Sequence, residues 1–132
     1  MLFRSHCPPS WIGHKESCYK LFTEGKSWNN ATASCKVNGA HLVKIESADE
    51  NSFINNEFLA GTVGYWIGLT DAETENVWKW SDGSTPGYTN WGSGEPNNFN
   101  NNEDCGEIRK IHLGSKYYDG EWNDNTCSPS HF

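Results

Sequence analysis

Glu95-Pro96-Asn97, Glu103-Asp104 and Trp122-Asn123-Asp124 bring together carboxylates and primary amides, with no His among them to suggest zinc. Hard cations such as calcium take six to eight oxygen ligands of this kind, and Asn carbonyls serve beside carboxylates. The Pro between Glu95 and Asn97 restricts the backbone, and a cis Glu95–Pro96 bond would aim both side chains at one ion. The plainer alternative for residues 97–102 is an Asn-rich solvated loop, because Asn and Asp are turn formers. That alternative does not account for the acids on both sides, or for Asn123-Asp124 placed between Trp122 and Cys127.

The elements that must position these residues can be read from turn and cap signals. Cys7, Pro8-Pro9, Trp11, Cys18 and Tyr19-Lys20-Leu21-Phe22 predict an N-terminal hairpin or strand pinned by a disulfide. Ser27 predicts an N-cap, followed by Trp28, Ala31, Ser34-Cys35 and Val37 at helical spacing, with a stop at Gly39. Residues 41–45 read as a short strand. Ser47 with Glu50 forms a capping box for a second helix that turns Phe53, Ile54, Phe58 and Leu59 inward and stops near Gly61. Residues 65–69 are a continuous apolar run, the pattern of a strand buried on both faces, and 77–80 form another strand. Residues 81–102 are rich in Gly, Pro, Ser and Asn and predict no regular structure; loops of that length in a compact domain are usually functional. Residues 105–111 and 117–122 complete the strand set.

A chain of 132 residues fits one domain with a true core. Its net charge of −7 offers no basic field for nucleic acid or an anionic membrane. No run approaches the roughly 20 apolar residues of a membrane-spanning helix. Residues 1–5 lack the apolar core of a signal peptide, so the chain reads as a mature secreted protein or an excised ectodomain. Its five cysteines point to an oxidising, extracellular compartment. Asn30-Ala31-Thr32 is a glycosylation sequon in a eukaryotic secretory setting. Catalysis is not expected. His6, His14, His41, His112 and His131 have no metal-ligand spacing, and no Ser or Cys sits in a nucleophile motif. Gly25-Lys26-Ser27 matches the end of a phosphate loop, but Lys20 stands where its first Gly is required. Glu95 and Glu103 could form a glycosidase pair by composition, yet as calcium ligands neither is available as an acid.

Trp66-Ile67-Gly68-Leu69, Glu95-Pro96-Asn97, Glu103-Asp104-Cys105 and Trp122-Asn123-Asp124, with Cys127 following, resemble the motifs of the C-type lectin-like domain over nearly the whole chain. The resemblance implies an α+β fold with two helices flanking antiparallel sheets, a long calcium-binding loop region and stabilising disulfides. It implies a principal calcium held by Glu95, Asn97, Glu103, Asn123 and Asp124, which also bind sugar. An auxiliary calcium would be held by Asp71, Glu75, Asn98, Glu103 and Asp104. Glu-Pro-Asn is associated in the family with mannose-type hexoses, namely mannose, fucose, glucose and N-acetylglucosamine, whereas Gln-Pro-Asp is associated with galactose. Phe99 lies where galactose-binding members often place an aromatic ring on the sugar, with a half-buried loop anchor as its alternative role. Partners would be glycans or glycoproteins, microbial surface polysaccharide among them, and further copies of the chain in a homo-oligomer; innate immune recognition is the commonest family role. Non-sugar members of the fold bind proteins, ice or mineral surfaces.

The cysteines are expected to pair Cys7–Cys18 and Cys105–Cys127, the second clamping the ligand region and stabilising by roughly 3 kcal/mol through loop closure. Cys35 is then unpaired. In the family the equivalent helix cysteine pairs near the C-terminus, beyond Phe132, so the sequence reads as truncated within its last strand, with a free or intermolecular Cys35 as the alternative.

Overall fold

A computed structural model describes residues 7–60 and 63–128 of the chain. Its centre is a four-stranded antiparallel sheet in the order β4-β3-β5-β6, formed by β3 (Val63–Thr70), β4 (Lys79–Trp80), β5 (Cys105–Leu113) and β6 (Lys116–Asn125). A separate hairpin pairs β1 (Ile12–His14) with β2 (Ser17–Tyr19), as the N-terminal turn signals imply, and Cys7–Cys18 ties it down. Tyr65, Trp66, Ile67, Gly68 and Leu69 are all buried, which is why this stretch shows no alternation.

Helix α1 (Trp28–Val37) starts where Ser27 Oγ accepts the N–H of Asn30 and ends where Gly39 adopts φ +70°. That left-handed turn lets Gly39 N–H reach Lys36 O at 3.0 Å and Ala40 N–H reach Cys35 O at 2.9 Å, satisfying carbonyls of the last turn. Only part of the expected apolar face is used. Trp28, Ala31 and Cys35 pack in one cluster with Trp66 and Leu42, but Val37 lies off that face of the helix and is 87% exposed. Helix α2 (Ala48–Phe58) is capped by Ser47 Oγ on the N–H of Glu50, while Glu50 Oε1 accepts from Glu46, one residue before the cap. Ile54 and Leu59 enter the core with Phe53 and Phe58 against them; the expected stop at Gly61 lies outside the described residues.

Two strand readings need correction. Residues 41–45 form no strand: they bury Leu42 and Ile45, but along β3 they gain one backbone bond, from Gly68 N–H to Val43 O at 2.9 Å. A ladder needs repeated pairing, and β3 is irregular here, with a register shift between Trp66 and Thr70. The strand read at 77–80 shrinks to Lys79–Trp80, with Val77 exposed.

The long segment 81–102 is irregular as expected, apart from a 3-10 turn at Phe99–Asn101 and one bridge between Trp91 and Trp122. It is fastened to β6 on both sides of that bridge. Trp122 N–H donates to Asn90 O and Gly92 N–H to Trp122 O, each at 2.8 Å. Trp80, Tyr88 and Trp91 stand edge-on to the fully buried Trp122 ring at 5.7, 5.8 and 5.9 Å. Burying a side chain of this size stabilises by about 1.5–3 kcal/mol, and edge-to-face pairs add about 0.5–1.5 kcal/mol each. This aromatic knot fixes the loop beside Asn123-Asp124.

Candidate metal centre

β6 carries Trp122 into the core and places the next two side chains at the mouth of the loop. Asp124 is fully buried, and its two carboxylate oxygens accept the backbone N–H groups of Asn97 and Asn98 at 3.1 and 2.7 Å. The cis Glu95–Pro96 bond precedes these residues. Glu95 lies against Asp124; burial first, and then the Asp124 charge, hold its pKa above the ordinary carboxylate range. Arg109 on β5 approaches Glu95 Oε2 at 3.8 Å and stacks on Tyr118, offsetting part of that effect. Glu95 Oε1 is nevertheless buried with no hydrogen-bond donor among the described residues.

Glu103 and Asn97 complete the loop side. Phe99 N–H is shared between Asn97 Oδ1 and a Glu103 oxygen, at 3.2 Å each, and burial raises the Glu103 pKa. Asn123 donates its side-chain N–H to Glu107 at 2.8 Å. Phe99 is 64% exposed, so its ring projects from the turn and does not anchor the loop.

A second group lies next to the first. Among the described residues, carboxylate oxygens of Asp71, Glu75 and Asp104 all lie within 4.8 Å of one another. Asn98 bridges the groups: its Nδ2 donates to Glu75 at 2.9 Å and its Oδ1 accepts the N–H of Glu103 at 3.1 Å. Asp71 is 3% exposed, and its pKa is pushed up to about 7 by burial and by the adjoining Glu75 carboxyl. Its Oδ1 meets no donor among the described residues. Buried carboxylate oxygens that face other carboxylates require a proton or a cation. Both groups therefore fit hard-cation ligation, with an all-oxygen donor set and, in each, one buried carboxylate oxygen without a donor among the described residues.

The expected disulfides Cys7–Cys18 and Cys105–Cys127 are present, and Cys35 is a free, half-buried thiol. Glu107, Arg109 and Asn51 belong to none of the sequence motifs. The first two were detectable as charged residues alternating with Ile108 on a strand whose neighbours are buried.

Residues 24–131 match the family model described as Lectin C-type domain. A perlucin-like protein of Mytilus galloprovincialis is 39% identical over 127 residues, covering 93% of this chain and 77% of the relative. The carbohydrate-recognition domain of the mouse scavenger receptor C-type lectin superposes with a TM-score of 0.81 at 35% identity, covering 94% of this chain and 92% of that one. A calcium-independent type II antifreeze protein superposes equally well, at a TM-score of 0.81 and 29% identity, covering 95% of this chain and 88% of that one. With its two capped helices, its antiparallel sheet and both expected disulfides, the chain belongs to the C-type lectin domain family.

Proposed function

We propose that the chain is a single-domain, extracellular, calcium-dependent carbohydrate-binding module that takes mannose-type hexoses through adjacent hydroxyls. The observation that carries this reading is the buried, donorless Glu95 Oε1 beside the Asp124 carboxylate, at a loop already drawn onto Asp124 by two backbone bonds. Glu95, Asn97, Glu103, Asn123 and Asp124 would hold the principal ion, and Asp71, Glu75, Asn98, Glu103 and Asp104 an auxiliary one. Bound calcium would supply open coordination positions that two neighbouring sugar hydroxyls complete. The chain supplies the rest. Glu95 and Glu103 keep lone pairs to accept hydroxyl protons, and Asn97 and Asn123 keep N–H groups to donate. The exposed Phe99 ring would lie against the sugar. Partners are then glycans and glycoproteins, microbial polysaccharide included.

An open site of this kind should bind a monosaccharide near millimolar strength, about −4 kcal/mol, with clustered presentation adding about 10²–10⁴-fold. The test is retention on immobilised mannose in calcium, followed by elution with chelator or free mannose. Retention that ignores the chelator would sink the calcium mechanism, and retention that ignores free mannose as well would favour a non-sugar surface function, as the likeness to the calcium-independent antifreeze protein allows.

A further inference from the structure

We propose that Glu107 is a positioning residue for Asn123, turning its amide so that the carbonyl oxygen faces the calcium site; this rests on the reading of Asn123 as a ligand. Glu107 is 3% exposed on β5, directly across from Asn123 in the β5–β6 register. Its Oε1 accepts from Asn123 Nδ2 at 2.8 Å, and its Oε2 accepts from Asn125 Nδ2 at 3.4 Å.

The two ends of a primary amide have nearly the same shape and differ in whether they donate or accept. An ionised carboxylate only accepts, so it permits one of the two orientations. With Nδ2 held by Glu107, Oδ1 of Asn123 points away from the carboxylate and is free to ligate. One of the two amide N–H bonds is also committed, which leaves one for a sugar hydroxyl.

Space for the carboxylate is built in. A Cβ at Gly64, on the neighbouring strand β3, would lie 2.8 Å from Glu107 Cδ, so a side chain there would displace the acid from Asn123. Groups behind a metal ligand commonly orient it, and losing one typically costs 10–100-fold in metal affinity.

The experiment uses the full chain with E107Q and, as an independent perturbation of the same contact, G64A. In the calcium-free wild type, the side-chain NH2 protons of Asn123, assigned by their loss in N123D, should be resolved and exchange slowly in 1H–15N spectra. In E107Q the introduced amide can donate as well as accept, so both orientations of Asn123 become possible and that protection should fall. Calorimetric calcium affinity should fall about 10-fold in both variants, while the melting temperature of calcium-free E107Q stays near that of wild type. Asn123 protons that exchange as fast as those of exposed Asn29 in wild type, or calcium affinities of both variants within about twofold of wild type, would overturn the proposal. E95Q separates the two readings. If E95Q binds calcium as well as wild type, the ligand assignment fails, while the calcium-free amide measurement still decides the role of Glu107.

Discussion

Asp124 on β6 accepts the backbone N–H of Asn98 at 2.7 Å, joining residues 26 apart in sequence, while remaining fully buried itself. Its second oxygen does the same for Asn97, so one carboxylate shapes the loop it would also help to charge. Asp124→Asn offers one acceptor in place of two and turns an NH2 group toward a backbone N–H. The calcium-free protein should lose about 1–3 kcal/mol of stability, the cost of a buried donor left unpaired, and retention on mannose should vanish. Urea melts with and without calcium check both effects; an unchanged calcium-free midpoint would show that Asp124 does not organise the loop.

The order of acid and amide around Pro96 should set which pair of hydroxyls fits. Glu95→Gln combined with Asn97→Asp exchanges donor and acceptor while keeping the oxygen ligands. The galactose-to-mannose ratio of affinities should rise about 10-fold or more, about 1.4 kcal/mol. Inhibition of binding by each free sugar reads this directly, and an unmoved ratio would place selectivity elsewhere, with Phe99 the first residue to mutate next.

Acid pH should stabilise the calcium-free protein and destabilise the calcium-bound one. Asp71, Glu95 and Glu103 all have folded pKa values raised first by burial, Asp71 to about 7. A raised folded pKa contributes stability that is fully present below the unfolded value, near 4, and is lost as pH rises through the folded one. Asp49, Asp82 and Asp119 are held low by Lys15, Ser84 and Asn55, and act in the opposite sense, but their window lies below about 4. With calcium the sign inverts, since protonated carboxylates no longer ligate. Melting curves between pH 5 and pH 8 should therefore slope in opposite directions with and without calcium. A calcium-free melting temperature that is flat across that range would contradict the burial of these acids.

The candidate site was legible in the sequence because the residues proposed as its ligands come in short runs, Glu95 to Asn97, Glu103-Asp104 and Asn123-Asp124, where oxygen donors at close spacing have few plainer explanations. The helices were legible through Ser27, Gly39 and Ser47, whose caps act locally. Glu107 was not, because its partner Asn123 is 16 residues away and meets it only through strand register. The strand read at 41–45 has the right residue types but lacks the ladder of bonds that pairing with a neighbouring strand would supply, and residue types alone do not show where β3 becomes irregular.

Asn51 is the clearest case of a residue that helix periodicity hides. It sits on the buried side of α2, where an apolar side chain would be expected, at 6% exposure. Its Oδ1 accepts Trp122 Nε1 at 2.8 Å, and its Nδ2 donates to Gly120 O at 3.0 Å. Gly120 has φ +89° and lies at the register shift of β6 shortly before the proposed ligands Asn123 and Asp124, so these two bonds, with one from Asn90 Nδ2 to the same Gly120 carbonyl, hold the bend that precedes them. Asn51→Leu keeps the approximate volume and removes both partners, leaving the buried indole N–H without an acceptor. The expected loss is about 1–3 kcal/mol in a urea melt, accompanied by weaker calcium binding because β6 is no longer held against α2. If stability falls while calcium affinity is unchanged, α2 supports the fold without positioning the site.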